Sequence, residues 1–357
     1  MTKPRQNEKL DTLWFTRCAG GGGGGVPTAS GIAYKLGYLE EEFGAEGIKL
    51  RTLQDEGTEG LRQHHYEHGL ETLVREGGNL FAIPAKAQGA KTRLIGLTWI
   101  EEGQSILVRP GSDIRSPADL KGKRLALPAY RRADLVENRR GRSIARHMSL
   151  QGYRGALASV GLALDDVKLV EVGHEVDVEP KENFGGFWPS YEPLAKGDVD
   201  AAYVKGAPGA DGAKKHGVVV GIDLDKLPER RFRVNNGTPR PVTVHDYFLE
   251  HHYDVLVRFL RQTLRAAEWA KTNLQGVRKI LQGETGASAE AVAAAYRDGF
   301  HLSLAPTLAS DRVELFRQQK DFLLTYGILD RDFDFDAWID PRPLEDARRT
   351  LASVRAA

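Results

Sequence analysis

The chain has 357 residues, enough for one large domain or two ordinary ones, and 41% hydrophobic with 28% charged residues makes it globular rather than disordered. Its 50 Lys and Arg against 49 Asp and Glu leave a formal charge of +1, which argues against a broad basic face for nucleic acid. No run of about 18 apolar residues is present, so no membrane span is expected. The one cysteine, Cys18, excludes an intramolecular disulfide.

The first eleven residues are basic and then polar, and the apolar stretch that follows, Leu13-Trp14-Phe15, is too short for a secretory signal; a cytoplasmic location is expected. Residues 13–16 read as a strand. Residues 30–43 have helical spacing, with Ile32, Leu36 and Leu39 on one side and Thr28 or Ser30 as the cap. A strand follows at 48–53. Residues 60–75 read as a helix stopped by Gly77-Gly78. Apolar runs at 92–100, 105–109 and 124–128 read as strands. A helix over 143–160 leads to further strands at 167–172, 201–204 and 218–222. Short apolar strands alternating with helices predict an α/β protein with mostly parallel sheets. From 245 to about 273 the pattern is helical, with Leu256, Phe259, Leu260, Thr263, Leu264 and Ala267 along one stripe. More helices follow near 274–282, 288–301, 311–326 and 342–354. No internal repeat is present.

Several groups invite a chemical reading. Six glycines at 20–25 lack the Lys that a phosphate loop needs at its end. They read as a flexible stretch without side chains, whose amides, entering a helix, would at most hold an anion. His64 and His68, on a helix, share a face as a zinc pair would, but no third ligand stands at the right spacing; no metal is expected. Arg131, Arg132, Arg139, Arg140 and Arg142, diluted by Asp134 and Glu137, read as a solvated face. Cys18 is the sharpest candidate. It lies just past the first strand, where α/β folds place ligands, and Arg17 and a following helix start would lower its thiol pKa. A nucleophilic thiol still needs a histidine or cation brought near in space.

The segment Thr92 to Ile100, then Ser105-Ile106-Leu107-Val108-Arg109, then Ser116-Pro117-Ala118-Asp119-Leu120-Lys121-Gly122-Lys123, resembles the type 2 periplasmic solute-binding proteins, most closely their sulfonate, nitrate and taurine branch. Leu194-Ala195-Lys196-Gly197-Asp198-Val199-Asp200-Ala201 fits the second lobe of that fold. Within this superfamily the chain resembles the 2'-hydroxybiphenyl-2-sulfinate desulfinases, cytoplasmic enzymes that remove a sulfinate group from an aromatic ring. Cys18 matches the family's cysteine after the first strand. His65 and Arg75 match its histidine and arginine ten positions apart, and Arg75-Glu76-Gly77-Gly78 matches the Gly-Gly pair that follows. Thr16 stands where the family has a hydroxyl. The glycines at 20–25 resemble an insertion directly after the cysteine, and Tyr66, His68, Leu70 and Tyr153 stand at the family's pocket positions.

The resemblance implies an α/β fold of two lobes in the manner of a type 2 periplasmic-binding protein, with additional C-terminal helices. Residues 11–110 would form the first segment of lobe 1, 111–223 lobe 2, and 224–357 the return to lobe 1 and the C-terminal helices. It implies cleavage of the C–S bond of an aryl sulfinate with release of sulfite, without metal or organic cofactor. Arg75 would hold the sulfinate oxygens and the Gly78 amide would add a donor. Cys18 would act as nucleophile on sulfur or as proton donor to the ring carbon, and His65 would relay the proton. Thr16, Tyr66 and Tyr153 would complete the substrate site. The partner is thus a small anionic aromatic or sulfur-containing ligand. The alternative is a binding protein that delivers a sulfonate or similar anion to a transporter.

Overall fold

The computed structural model describes residues 9–16, 28–53, 55, 57–61, 63–130, 134–135, 142–173 and 188–356. Cys18, the glycines at 20–25 and the four arginines between 131 and 140 lie outside the described residues.

The chain begins with β1 (Thr12–Phe15), α1 (Ala29–Lys35), α2 (Tyr38–Phe43), β2 (Lys49–Thr52), α3 (His64–Glu67), β3 (Leu73–Glu76), α4 (Asn79–Ala87) and β4 (Thr92–Thr98). It continues with β5 (Ser105–Val108), β6 (Arg124–Pro128), α5 (Ile144–Ala158), β7 (Lys168–Val172), α6 (Tyr191–Lys196), β8 (Ala201–Val204), α7 (Ala207–Lys215) and β9 (Val219–Asp223). Then come β10 (Arg240–His245), α8 (Asp246–His251), α9 (Tyr253–Lys271), α10 (Leu274–Thr285), α11 (Ala289–Ala295), α12 (Ser310–Thr325) and α13 (Arg342–Ala356).

These strands build two five-stranded sheets, ordered β2-β1-β3-β10-β4 and β7-β6-β8-β5-β9. In the first, β1 is parallel to β2 and β3, and β10 is antiparallel to β3 and β4. In the second, β6 is parallel to β7 and β8, and β5 is antiparallel to β8 and β9. The antiparallel strand of each sheet is the first one laid down after the chain crosses from the other, between Thr98 and Ser105 and again between Asp223 and Arg240. The result is the two-lobe α/β architecture expected above. β5, numbered with the first segment of lobe 1 in that expectation, belongs to the second sheet.

The central strands are apolar on both sides because helices cover both faces. Phe15, Val74, Ile95, Val242 and Val244 pack against Ile32 of α1 and Phe259 and Leu260 of α9. Leu94 and Leu97 join Phe316 and Leu323 of α12 and Trp338 in the other layer. The C-terminal helices therefore complete the first lobe. α11 also reaches α7 of the second lobe, where Lys214 Nζ lies 2.6 Å from Glu290 Oε2 and Ser288 Oγ donates to Asp211 Oδ1 at 2.8 Å.

Two local expectations change. The helix expected over 30–43 is two helices, because Gly37 at φ 78° leaves the right-handed region between α1 and α2. Thr28 is the cap, accepting from Gly31 N at 3.0 Å, and Ser30 points elsewhere. The helix expected over 60–75 does not form. A single turn, α3, ends at His68, whose φ of 55° is left-handed, and the chain then extends into β3. Val74 pairs with Phe15, and Arg75 with Thr243, so sheet pairing outweighs the local helical spacing.

Candidate functional site

Parallel pairing sets β1 and β3 side by side, with Trp14 opposite Leu73 and Phe15 opposite Val74. The residues at their carboxyl ends, Thr16 and Glu76, then lie abreast. The Thr16 hydroxyl donates to Glu76 O at 2.7 Å and accepts from Glu76 N at 2.8 Å, while Thr16 N donates to Val74 O at 3.1 Å. The carboxyl ends of parallel strands are where open α/β sheets bind ligands. Two residues beyond Thr16 in sequence stands Cys18.

Arg75, on β3, is fully buried. Its Nε donates to His65 O at 2.8 Å and its Nη2 to Gly78 O at 2.9 Å, and the guanidinium lies 5.9 Å from the centre of the Phe81 ring. One edge of the fork thus anchors the histidine and the glycine pair to the strand end. The structure brings His65, Arg75 and Gly78 together, and it shows Arg75 engaged with main-chain carbonyls where an anion clamp alone was expected.

The His65 ring is buried, edge-on to Tyr66 at 5.6 Å and Phe81 at 5.4 Å. Among the described residues its Nδ1 has no hydrogen-bond partner. Burial first, then the charges of Arg75, His68 and Arg240, hold its pKa well below the ordinary imidazole value of 6.5. A neutral imidazole, with one nitrogen donating and the other accepting, is suited to exchange a proton with a nearby group. Tyr66 and Phe81 pack at 4.5 Å, and the Arg142 guanidinium of the second-lobe side lies 4.7 Å from the Tyr66 ring centre while pairing with Glu67 at 3.1 Å.

Gly78 precedes α4 and has room for no side chain: a Cβ there would lie 2.3 Å from Asn236 Oδ1. That same Oδ1 accepts from Leu80 N at 3.2 Å, so Asn236 covers the start of α4. Asn79 Nδ2 donates to Asn235 O at 2.7 Å and Pro239 O at 3.0 Å, which ties α4 to the second crossing. Nearby, Glu102 on the first crossing lies 2.6 Å from Arg240 Nη2 and 3.2 Å from Lys205 Nζ, all three buried. Arg240 also faces the Glu76 carboxylate and Lys205 also faces Asp225, so this group of charges is mutually compensated.

Tyr153 is not part of this site. Its ring is fully buried in the second lobe, and its hydroxyl donates to Ala126 O at 2.7 Å and accepts from Tyr203 N at 2.8 Å. The β6–β8 pairing ends at Ala126 and Ala202, and the phenol replaces the next rung of the ladder. Tyr153→Phe leaves a buried carbonyl and amide unpaired, so it should lower folding stability by about 1–3 kcal/mol in urea denaturation. Ligand affinity should not change; a loss of affinity at unchanged stability would return Tyr153 to the site.

The zinc-pair reading of His64 and His68 also dissolves. α3 ends between them, and His68 Nε2 is hydrogen-bonded to Thr243 Oγ1 at 2.8 Å. Among the described residues no three His, Cys, Asp or Glu side chains are grouped to hold a metal ion, and no helix is long and apolar enough to cross a membrane.

Glu76, Phe81 and Asn236 were missed by the sequence reading. Glu76 stood just past the expected helix, between Arg75 and the Gly-Gly pair. Asn235-Asn236-Gly237 carries a turn signal, which marks a bend and not what the side chain covers.

The depressed pKa values of His65 and His68 make a pH prediction. Unfolded, each imidazole protonates near 6.5; folded, only well below it. Below the unfolded value the unfolded chain therefore binds more protons, and stability falls as pH falls, by up to about 1.4 kcal/mol per pH unit for each group. Asp225, pushed up to about 6 by burial, and Glu76, also raised by burial, act in the opposite sense. The check is the difference between the parent chain and His65→Asn: the variant's stability should lose less between pH 7 and about 5. Parallel pH curves would show that His65 does not titrate differently on folding.

The two crossings and the strand order define a protein of the periplasmic-binding-protein fold. The chain belongs to the NMT1/THI5-like family, whose model matches residues 31–275. It is homologous to the 2'-hydroxybiphenyl-2-sulfinate desulfinase of Rhodococcus erythropolis, 27% identical over 94% of this chain and 93% of that protein. In structure it is similar to a cysteine-to-serine variant of the desulfurization enzyme DSZB in complex with biphenyl-2-sulfinic acid, with a TM-score of 0.72, 24% identity and coverage of 95% and 99% of the two chains. The sulfonate-binding protein SsuA of Methylobacillus flagellatus KT shares the fold, with a TM-score of 0.70, 18% identity and coverage of 97% and 96%.

Proposed function

We propose that this protein is an aryl-sulfinate desulfinase, which replaces the sulfinate group of an aromatic ring by hydrogen and releases sulfite. The reaction balances with one water: the C–S bond breaks, a proton is added to the ring carbon, and the water oxygen leaves in bisulfite. The observation that carries the reading is the arrangement at the end of β3. Arg75 ties His65 and Gly78 together, and His65 packs with Tyr66 and Phe81 into an aromatic wall. Such a wall suits an aryl ring edge-on or stacked, and the Arg75 guanidinium beside Phe81 suits its anionic group. The homology to the Rhodococcus desulfinase over nearly the full length of both chains supports the same chemistry.

In this reading Cys18 reacts, as nucleophile on sulfur or as proton donor to the ring carbon, and neutral His65 exchanges the proton with it. The Arg75 charge and the Gly78 region stabilise the sulfinate oxygens, and Thr16 orders the β1 end. The second reading is a binding protein for a small sulfonate, supported by the fold shared with SsuA. Purified protein incubated with biphenyl-2-sulfinate and assayed for sulfite decides between them. Catalytic sulfite release supports the desulfinase; saturable binding of sulfinates and sulfonates with no sulfite supports the binder.

A further inference from the structure

Glu76 follows Arg75 on β3 and is buried, 1% exposed. A carboxyl group in such a place costs desolvation unless it is put to use. Its main-chain amide and carbonyl are both taken by the Thr16 hydroxyl, at 2.8 and 2.7 Å. Its side chain reaches the other way. Oε2 accepts from Ser30 Oγ at 2.6 Å, and Oε1 from Thr98 Oγ1 at 3.4 Å. Ser30 stands in the first turn of α1, beside its cap Thr28. Thr16 and Thr28 are the described residues that flank the stretch 17–27, which carries Cys18. One residue of β3 therefore grips the chain before that stretch with its backbone and the chain after it with its carboxylate.

We propose that Glu76 is a positioning residue that holds Thr16 and the start of α1, the described residues on either side of Cys18, relative to the Arg75–His65 pair, and that the reactivity of Cys18 depends on this hold. The proposal rests on the desulfinase reading for its functional meaning but is tested separately from it. Four groups face the carboxylate: Ser30, Thr98, the Ser30 amide and, electrostatically, Arg240. Burial raises its pKa and these four oppose the rise. A hydrocarbon of the same size would spare the desolvation but would release Ser30.

The test uses the single thiol. In the folded protein, the rate of Cys18 alkylation by iodoacetamide should change at least about threefold in Glu76→Ala and in Ser30→Ala, by the loss of one charge-assisted hydrogen bond. Glu76→Gln keeps an acceptor for Ser30 and should restore the parent rate. The double variant Glu76→Ala/Ser30→Ala should be no worse than Glu76→Ala alone, because both act through one bond. In urea all variants should alkylate alike. Alkylation at the parent rate in folded Ser30→Ala and Glu76→Gln/Ser30→Ala overturns the proposal even if Glu76→Ala fails to fold. With an aryl sulfinate, Glu76→Ala should lower kcat about tenfold with KM little changed. If the parent chain releases no sulfite, the desulfinase reading falls while the alkylation result still judges the role of Glu76.

Discussion

Sulfite release from an aryl sulfinate should fall to background when Cys18 is replaced by Ser, while affinity for the same sulfinate should stay within about threefold of the parent. Serine preserves the size of the side chain but not the acidity of the thiol near neutral pH, on which both a thiolate nucleophile and a thiol proton donor depend. The measurement pairs a sulfite assay with equilibrium binding by calorimetry on the same preparation. Undiminished release from Cys18→Ser would remove the thiol from the reaction and leave His65 as the candidate proton donor.

Arg75→Lys retains the charge yet should lower kcat/KM about ten- to hundredfold, and stability by about 1.5–3 kcal/mol as well. The reason is geometric. The planar fork serves His65 O and Gly78 O at 2.8 and 2.9 Å from two different nitrogens, and one ammonium cannot reproduce that spacing. At least one buried carbonyl loses its donor, and the His65 ring and the Gly77-Gly78 turn lose their common anchor. A terminal position on a helix would have made the exchange harmless, since lysine also satisfies helix-end carbonyls. Arg75 lies on a strand instead, paired with Thr243 of β10. Urea denaturation and steady-state kinetics on one variant separate the two losses. A normally stable Arg75→Lys with parental kcat/KM would show that the contacts to His65 and Gly78 carry nothing.

Most strands were legible because they are short apolar runs bounded by turns; β4 through β6, α5 and the helices after β10 fall near their expected places. The elements that build the site were the illegible ones. β3 reads Leu-Val-Arg-Glu, half of it charged, and all four residues are buried. No local pattern announces a buried strand of that composition. β10, which joins both halves of the first sheet, contains Pro241, and a proline argues against a central strand because it cannot donate to a ladder. Tyr153 shows the converse. Its aromatic character fitted a pocket, but the groups its hydroxyl meets, Ala126 and Tyr203, lie 27 and 50 residues away.

Hydrophobic period and turn residues determined that this chain alternates short strands with helices and closes on a run of helices, since each of those signals is local and repeated many times along 357 residues, whereas the two-lobe arrangement was implied only by the family resemblance. Placement of the chemistry was decided only in three dimensions. Arg75 and Glu76 are adjacent charged residues whose fates depend on partners far from them in sequence: Glu76 meets Thr16 and Ser30 at separations of 60 and 46 residues. Burying either charge is unfavourable until those partners arrive, so no property of the local sequence specifies a buried arginine gripping His65 and a buried glutamate gripping the two ends of the Cys18 stretch. The sheet pairing of β3 between β1 and β10 does.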